Sequence, residues 1–149
     1  MKTFMKFLRF DFLPASSNLG LLMLRLWLGL SLLMLHGWTK LNSFSSLSQH
    51  FPDPLGVGSK GSLSLAIFAE VLCAALLALG LFTRLAALSL AVNMSVAFVM
   101  VHKSSLKMGP GSGELAFIYL AGFFTLFVAG GGRFAFDAAA SKPSTPAPR

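Results

Sequence analysis

The chain has 149 residues, of which 55% are hydrophobic and only 11% are charged, and its mean hydropathy is +0.74. This composition excludes an ordinary soluble domain and predicts a membrane protein. The net charge of +7 at pH 7 comes from basic residues that lie mostly between and beyond the apolar segments, so it predicts orientation in a membrane and no nucleic-acid partner.

Residues 1–18 are predicted to form a separate interfacial segment. Lys2, Lys6 and Arg9 fall on one helical face, and Phe4, Phe7 and Leu8 fall on another. This pattern favours a helix that lies flat on an anionic membrane surface. A disordered lead-in is an open alternative, because no capping residue precedes Pro14. The apolar run that follows is too long for a signal peptide and has no small-residue cleavage site, so we expect it to be kept in the mature protein.

Residues 19–137 are predicted to form one all-α domain, a four-helix transmembrane bundle. A span needs about 20 apolar residues, and the last segment is short, so we expect it to extend into the following glycines or to start among the lipid headgroups. The turn between the second and third spans is only Thr83 and Arg84, which makes those spans an antiparallel hairpin. The apolar segments are Leu19–Leu35, Leu63–Phe82, Leu85–Val101 and Leu115–Ala129.

A short amphipathic interfacial helix is predicted after the first span. Leu41, Phe44, Leu47 and Phe51 recur at helical spacing until Pro52 stops the pattern. Such a helix could cap a cavity between the spans or only anchor the loop in the headgroups. Beyond the last span, residues 138–149 are predicted to be a disordered, Pro-rich tail with nothing to bury.

The distribution of basic residues predicts that both termini are cytoplasmic. The terminal segments and the turn at Arg84 hold more of the Lys and Arg residues outside the spans than the other two loops do, and cytoplasmic segments carry such an excess. The residues on the predicted cytoplasmic side are Lys2, Lys6, Arg9, Arg84, Arg133, Lys142 and Arg149, against Lys40, Lys60, Lys103 and Lys107 on the other side.

Two ionisable residues, Arg25 and Glu70, lie inside apolar segments. A charged side chain at bilayer depth costs roughly 3 kcal/mol, so such residues usually face the interior of a bundle. At 100° per residue Arg25, His36 and Lys40 share one stripe of the first span. The rise per residue places Glu70 between Arg25 on one side and His36 or Lys40 on the other, which leaves both partners open.

These residues predict an intramembrane polar pocket. The inward face of the third span stays open, because Asn93 and Ala97 lie on one side of it while Ser95 and His102 lie nearly opposite. The cluster could equally be a binding site or packing glue that fixes which helix lies where. No metal site is predicted, and no catalytic residue is assigned. The predicted pocket residues are Arg25, His36, Lys40, Glu70, His102 and Glu114, and Arg84 with Asp137 are predicted to anchor the cytoplasmic interface.

Several segments together resemble the DoxX family of small four-helix bacterial membrane proteins. The first is LLMLRLWLGLSLLMLHGWTKL (21 to 41), which has an arginine and ends in HGxxK. The second is AEVLCAALLALGLFTRLAAL (69 to 88), which has an early glutamate and a G-x-x-T-R turn. The third is GGGRFAFD (130 to 137). The resemblance covers residues 19 to 137. The closing segment differs from the family's usual tyrosine-serine-leucine sequence, since it has Phe134, Ala135 and Phe136.

The resemblance implies a bacterial inner-membrane protein associated with redox chemistry. Members resemble the membrane subunit of thiosulfate:quinone oxidoreductase or partners in oxidative-stress complexes. We therefore expect a quinone-facing or accessory membrane subunit of an oxidoreductase system, which is at most part of an enzyme. No motif marks a bound cofactor, and the redox association of the family makes quinone the candidate ligand. A protein partner or a second copy of the chain is also expected. The alternatives are a small transporter or permeability factor, and a non-catalytic assembly partner.

Overall fold

The computed structural model describes Leu8 and residues 16–107, 109 and 111–140. The interfacial helix predicted within residues 1–18 and the tail from Ser141 onward fall almost wholly outside the described residues. The described part is built from α-helices. We number them α1 (Ser17–Asn42), α2 (Phe44–Leu47), α3 (Ser59–Leu79), α4 (Thr83–Val101), α5 (Glu114–Ala129) and α6 (Phe136–Ala140).

The predicted four-helix transmembrane bundle is confirmed. By length and composition α1, α3 and α4 can each cross a membrane, whereas α5 is a shorter apolar helix of 16 residues. The expected extension of α5 into the glycines is wrong, because Gly130 has φ 78° and ends the helix. At the start of α1, the Ser16 hydroxyl accepts a bond from the Leu19 amide and caps the helix.

The helices α1, α3, α4 and α5 form a ring in which α1 and α4 each lie against both α3 and α5. The core is filled by large side chains with no exposed surface, such as Leu77, Leu90 and Phe123. Alanines bring the backbones close, and a Cβ on Gly29 would stand 2.9 Å from the Ala74 carbonyl oxygen. Small residues at such crossings let membrane helices approach each other.

Each of the three long spans contains a π-helical segment: Leu33–Gly37 in α1, Phe68–Cys73 in α3 and Ala97–Val101 in α4. A π turn holds more residues than an α turn, so it rotates the side chains that follow it, and such turns occur often at functional sites. Because a regular wheel assumes 3.6 residues per turn, faces inferred across these segments need correction.

The two ends of the bundle differ. At one end, here named the turn end, α1 begins, α3 turns into α4 and α5 ends. At the other, the roof end, lie the connections from α1 to α3 and from α4 to α5.

The helix predicted after the first span is present as α2, but it is only one turn long. Leu41 belongs to α1, and Phe51 follows α2 in a non-helical segment. At the turn end, α6 runs past the domain boundary predicted at residue 137, so the ordered chain continues into the segment expected to be tail.

Candidate functional site

A cavity of about 590 Å³ lies between α3 and α4 and extends to the roof end. Its size is within the roughly 300–1,000 Å³ of small-molecule sites, which combine apolar walls with a few polar groups. We name residues 51–55, which cross its roof end, the roof segment. The lining residues are Lys40, Phe51, Pro52, Pro54, Leu55, Ser62, Leu65, Ala66, Phe68, Ala69, Glu70, Leu88, Ser89, Val92, Asn93, Val96, Ala97, Val101 and His102.

Glu70 is the buried acid of this cavity, with 5% of its surface exposed. Lys40 from α1 donates a charged hydrogen bond to Oε2 of Glu70. Asn93 from α4 donates to Oε1 over 3.3 Å. Three helices thus contribute one side chain each to a group that we name the polar cluster: Lys40, Glu70 and Asn93. Of the two predicted partners for Glu70, the structure selects Lys40.

Local backbone geometry makes the ion pair possible. Glu70 lies within the π-helical segment of α3, and Gly37 ends the π-helical segment of α1. A Cβ on Gly37 would stand 2.5 Å from the Glu70 carbonyl oxygen, closer than real Cβ atoms approach. Only glycine therefore lets α1 lie this near to α3, and Lys40, one turn further on, then reaches the carboxylate.

The Lys40 ammonium of the polar cluster has N–H donors that Glu70 does not use. The Lys40 side chain is 22% exposed and that of Glu70 is 6% exposed, so the ammonium is the more accessible partner. An ammonium carries three N–H donors, and Glu70 takes one of them. The others are available to a carbonyl or another acceptor inside the cavity. Each Glu70 oxygen also has acceptor capacity for a hydroxyl donor.

His102 lines the cavity near its roof end, roughly 13 Å along α4 from Asn93. Its Nδ1 lies 3.0 Å from the Gly111 carbonyl oxygen. Because a carbonyl only accepts, Nδ1 carries the hydrogen, and Nε2 of the neutral ring is an acceptor. The open question about the third span is resolved: Asn93, Ala97 and His102 all line the cavity, because the π-helical segment between them rotates His102 to the Asn93 side.

His36 and Glu114 do not line the cavity, so their predicted place in the pocket is corrected. The His36 ring meets Tyr119 of α5 edge to face at 6.1 Å between centroids, and the charges of Lys40 and Glu70 also act on it. The Tyr119 hydroxyl shares a hydrogen bond of 2.8 Å with the Ser31 hydroxyl. Glu114 is exposed at the first turn of α5.

Arg25 also lies outside the cavity, at the turn end, where it donates to the Phe134 carbonyl oxygen. The distance along α1 from Arg25 to Lys40 is roughly 22 Å, which an arginine side chain does not bridge. Arg25 is 2% exposed, and Nε and Nη1 have no hydrogen-bond partner among the described residues. Its charge is instead attracted by Asp137.

Asp137 joins the end of the chain to the start of α4. Its carboxylate accepts bonds of 2.8 Å from the Phe82 amide and of 2.7 and 2.8 Å from the amide and hydroxyl of Thr83. Burial acts to raise the pKa of Asp137, but these bonds and the charge of Arg25 hold that pKa below its ordinary value. Arg84, the other residue predicted to anchor this interface, donates to the Val128 carbonyl oxygen at 3.3 Å.

We name the group Arg25, Gly80, Thr83, Phe134 and Asp137 the turn-end clasp. Gly80 has φ 78°, and a Cβ there would collide with the Arg25 guanidinium and approach the Ala135 Cα to 2.8 Å. The Gly80 carbonyl oxygen accepts from the Asp137 amide. The arginine of the first span, the G-x-x-T-R turn and the closing aspartate thus meet in one place.

Sequence reasoning missed the role of Asp53 in the roof segment. Its carboxylate accepts from the amides of Val57 and Gly58, at 3.0 and 2.8 Å, and from the Ser62 hydroxyl at 2.7 Å. The Ser62 bond is the main cause that lowers the pKa of Asp53, and the backbone bonds add to it. These bonds of Asp53 fix the roof segment to the first turn of α3. An aspartate between two prolines and before a helix was the available signal.

Comparisons with known proteins agree with this architecture. The model of the DoxX family matches residues 20–103, which contain α1 except its first three residues, all of α2 to α4 and the whole polar cluster, but not α5. A protein of Haemophilus influenzae (strain ATCC 51907 / DSM 11121 / KW20 / Rd), described as "Uncharacterized protein", is 29% identical over 125 residues, which cover 81% of this chain and 83% of that protein. No solved structure matches the chain. Since the family model spans more than half of the chain, the protein belongs to the DoxX family, as a membrane protein with several spans.

Proposed function

We propose that the protein is a quinone-binding inner-membrane subunit of an oxidoreductase system. The observation that carries the proposal is the polar cluster at the wall of a predominantly apolar cavity, where a buried carboxylate pairs with an ammonium that has further N–H donors free for a ligand. A quinone ring matches this chemistry, because it is flat and apolar with carbonyl oxygens that accept hydrogen bonds.

The residues fit a quinone in a definite way. Lys40 would donate to a ring carbonyl, and Asn93 would hold Glu70 in place through its amide. Glu70 would accept from the hydroxyl of the reduced ring, since a carboxylate accepts only. When bound, the quinone supplies the two-electron chemistry, with electrons from a partner protein and two protons from the medium. Lys40 and Glu70 are the groups of the cluster that can exchange protons at its oxygens.

The test is a titration of the purified protein in lipid nanodiscs with a short-chain quinone. We expect saturable binding by the wild type and, for the reduced form of the ring, at least tenfold weaker binding by Glu70→Gln, because a lost hydrogen bond to a charged group costs roughly 1.5–3 kcal/mol. Glu114→Gln is the matched control, since it removes an exposed carboxylate outside the cavity, and it should bind as the wild type does.

Asn93→Leu provides a second test of the cluster, because it removes the amide that holds Glu70 without changing any charge. Unchanged affinity in both Glu70→Gln and Asn93→Leu would contradict the proposal. In that case the ion pair serves only to fix the packing of α1 on α3, which is the assembly role left open by the sequence. Uptake of a solute into vesicles that depends on Glu70 would instead favour a transporter.

The proposal includes an orientation and a partner. The turn end would face the cytoplasm, in line with the distribution of basic residues, and the roof end would face the outside. The electron-carrying partner would be a separate protein or subunit.

A further inference from the structure

The cavity has a mouth along the side of the bundle. Four lining residues are also exposed on the outer surface of the spans: Leu65 and Phe68 of α3 at 53% each, Leu88 of α4 at 41% and Val92 of α4 at 55%. Both helices are long and apolar enough to cross the membrane. Side chains exposed at that depth meet lipid chains, so the mouth between them opens into the hydrocarbon layer.

The shape of the cavity is that of a groove. Along α4 its lining runs from Leu88 to His102, roughly 20 Å at the rise of a helix. The polar cluster lies partway along this length, and the wall beyond it toward Leu88 carries only Ser89 as a polar side chain. The roof segment crosses the other end and is fastened by Asp53. A ligand with its head at the polar cluster therefore has an apolar passage that leads between α3 and α4 to the lipid and along α4 toward Leu88.

We propose that the ligand enters from the bilayer between α3 and α4 and keeps a long apolar tail in this lateral mouth. The inference rests on the proposed function and names its substrate class: a quinone with a lipid-soluble tail, selected over the same ring without one. The head contacts the polar cluster, and the tail lies against Leu65, Phe68, Leu88 and Val92. Lipid chains cover these walls when no ligand is bound, so the tail is held by close van der Waals packing against the walls and needs no further polar contact.

The test narrows the mouth without altering the polar cluster. Val92→Trp fills the gap, and Val99→Trp is its matched control, because Val99 lies on the same helix with the same 55% exposure but does not line the cavity. Binding of a decyl-tailed quinone and of the tail-less quinone with the same ring is measured in nanodiscs. We expect Val92→Trp to weaken the tailed ligand about tenfold, as overpacking does, while the tail-less ligand and Val99→Trp remain unchanged.

Other outcomes overturn the lateral mouth. Unchanged affinity of Val92→Trp for the tailed quinone, or equal loss of both quinones, would show that the tail does not lie there, while wild-type binding still upheld the proposed function. Absence of quinone binding by the wild type would remove the proposed function itself. A copurified phospholipid that the tailed quinone cannot displace would assign the mouth to lipid. If Val92→Trp does not fold, Leu65→Trp narrows the mouth from the opposite wall.

Discussion

At the scale of single residues, the molecule separates its two intramembrane charges. Arg25 and Glu70 are both almost fully buried, yet each is balanced by a different residue at a different end. Glu70 is balanced by Lys40 beside a cavity, whereas Arg25 lies near Asp137 inside the turn-end clasp. A buried charge that faces a cavity can serve a ligand, and one sealed among backbone groups serves the fold.

The first prediction concerns Asp137 and pH. Its pKa is lowered in the folded protein, so its stabilising effect is fully present above the ordinary aspartate pKa of about 3.9 and is lost as the pH falls through the lower folded value. We expect Asp137→Asn to lower the free energy of unfolding by about 1 kcal/mol at pH 7, as for a weakened helix cap. Below pH 4 the difference from the wild type should shrink.

The measurement is denaturant unfolding in detergent between pH 3 and pH 7. Glu114→Gln, which removes an exposed carboxylate at the roof end, should follow the wild type at each pH. A difference between Asp137→Asn and the wild type that stays constant over this range would show that the charge of Asp137 contributes nothing to the clasp.

At the scale of elements, the sequence predicted the spans but not the π-helical segments within them. Apolar length alone places Leu63–Phe82 within four residues of the observed Ser59–Leu79, because burial in lipid sets where a helix must exist. The π-helical segments follow from packing between helices, which no local pattern records. For that reason His102 appeared opposite Asn93 on a regular wheel, although both line the cavity.

The second prediction concerns the contact of α1 with α3 at Gly37. A methyl group there meets the backbone of Glu70, so Gly37→Ala must push the helices apart. Overpacking of this kind costs about 1–3 kcal/mol, and we expect the bond between Lys40 and Glu70 to be lost with it. The free energy of unfolding in mixed detergent measures the first effect, and quinone affinity measures the second.

Gly20→Ala is the matched control on the same helix, because nothing lies within 4 Å of a Cβ at that position. Alanine is the better helix former by up to about 1 kcal/mol, so this variant should be as stable as the wild type or more so. Equal stability of the two alanine variants would show that the close approach of α1 to α3 at Gly37 is not required.

At the scale of the whole molecule, composition fixed the architecture and left the site partly hidden. The excess of apolar residues and the four segments led to the correct bundle, and the order of the motifs led to the correct family. Lys40, Glu70 and His102 were among the predicted pocket residues, and the structure places all three at one cavity. The place of Arg25 could not be predicted, because its partners, Phe134 and Asp137, follow more than a hundred residues later, and nothing in the first span indicates them.

The third prediction concerns the orientation of the chain. In a Cys73→Ala background, Ser46→Cys places a thiol at the roof end and Ala139→Cys places one at the turn end, and both positions are exposed. If the turn end faces the cytoplasm, an impermeant maleimide applied to intact spheroplasts should label Ser46→Cys only. Labelling of Ala139→Cys should require lysis. The reverse pattern would invert the proposed topology.

The turn-end clasp has a consequence for how the protein is made. Arg25 enters the membrane with the first helix, but the carbonyl oxygen that accepts its hydrogen bond lies 109 residues further along the chain, and the carboxylate that offsets its charge comes later still. Chains emerge from the ribosome with the N-terminal part first. Arg25 therefore has no Asp137 carboxylate to offset its charge while three more spans are inserted. A nascent chain halted before Asp137 thus carries all its transmembrane segments and still lacks the carboxylate that offsets the charge of Arg25, so we expect such a fragment to be less stable in the membrane than the longer chain.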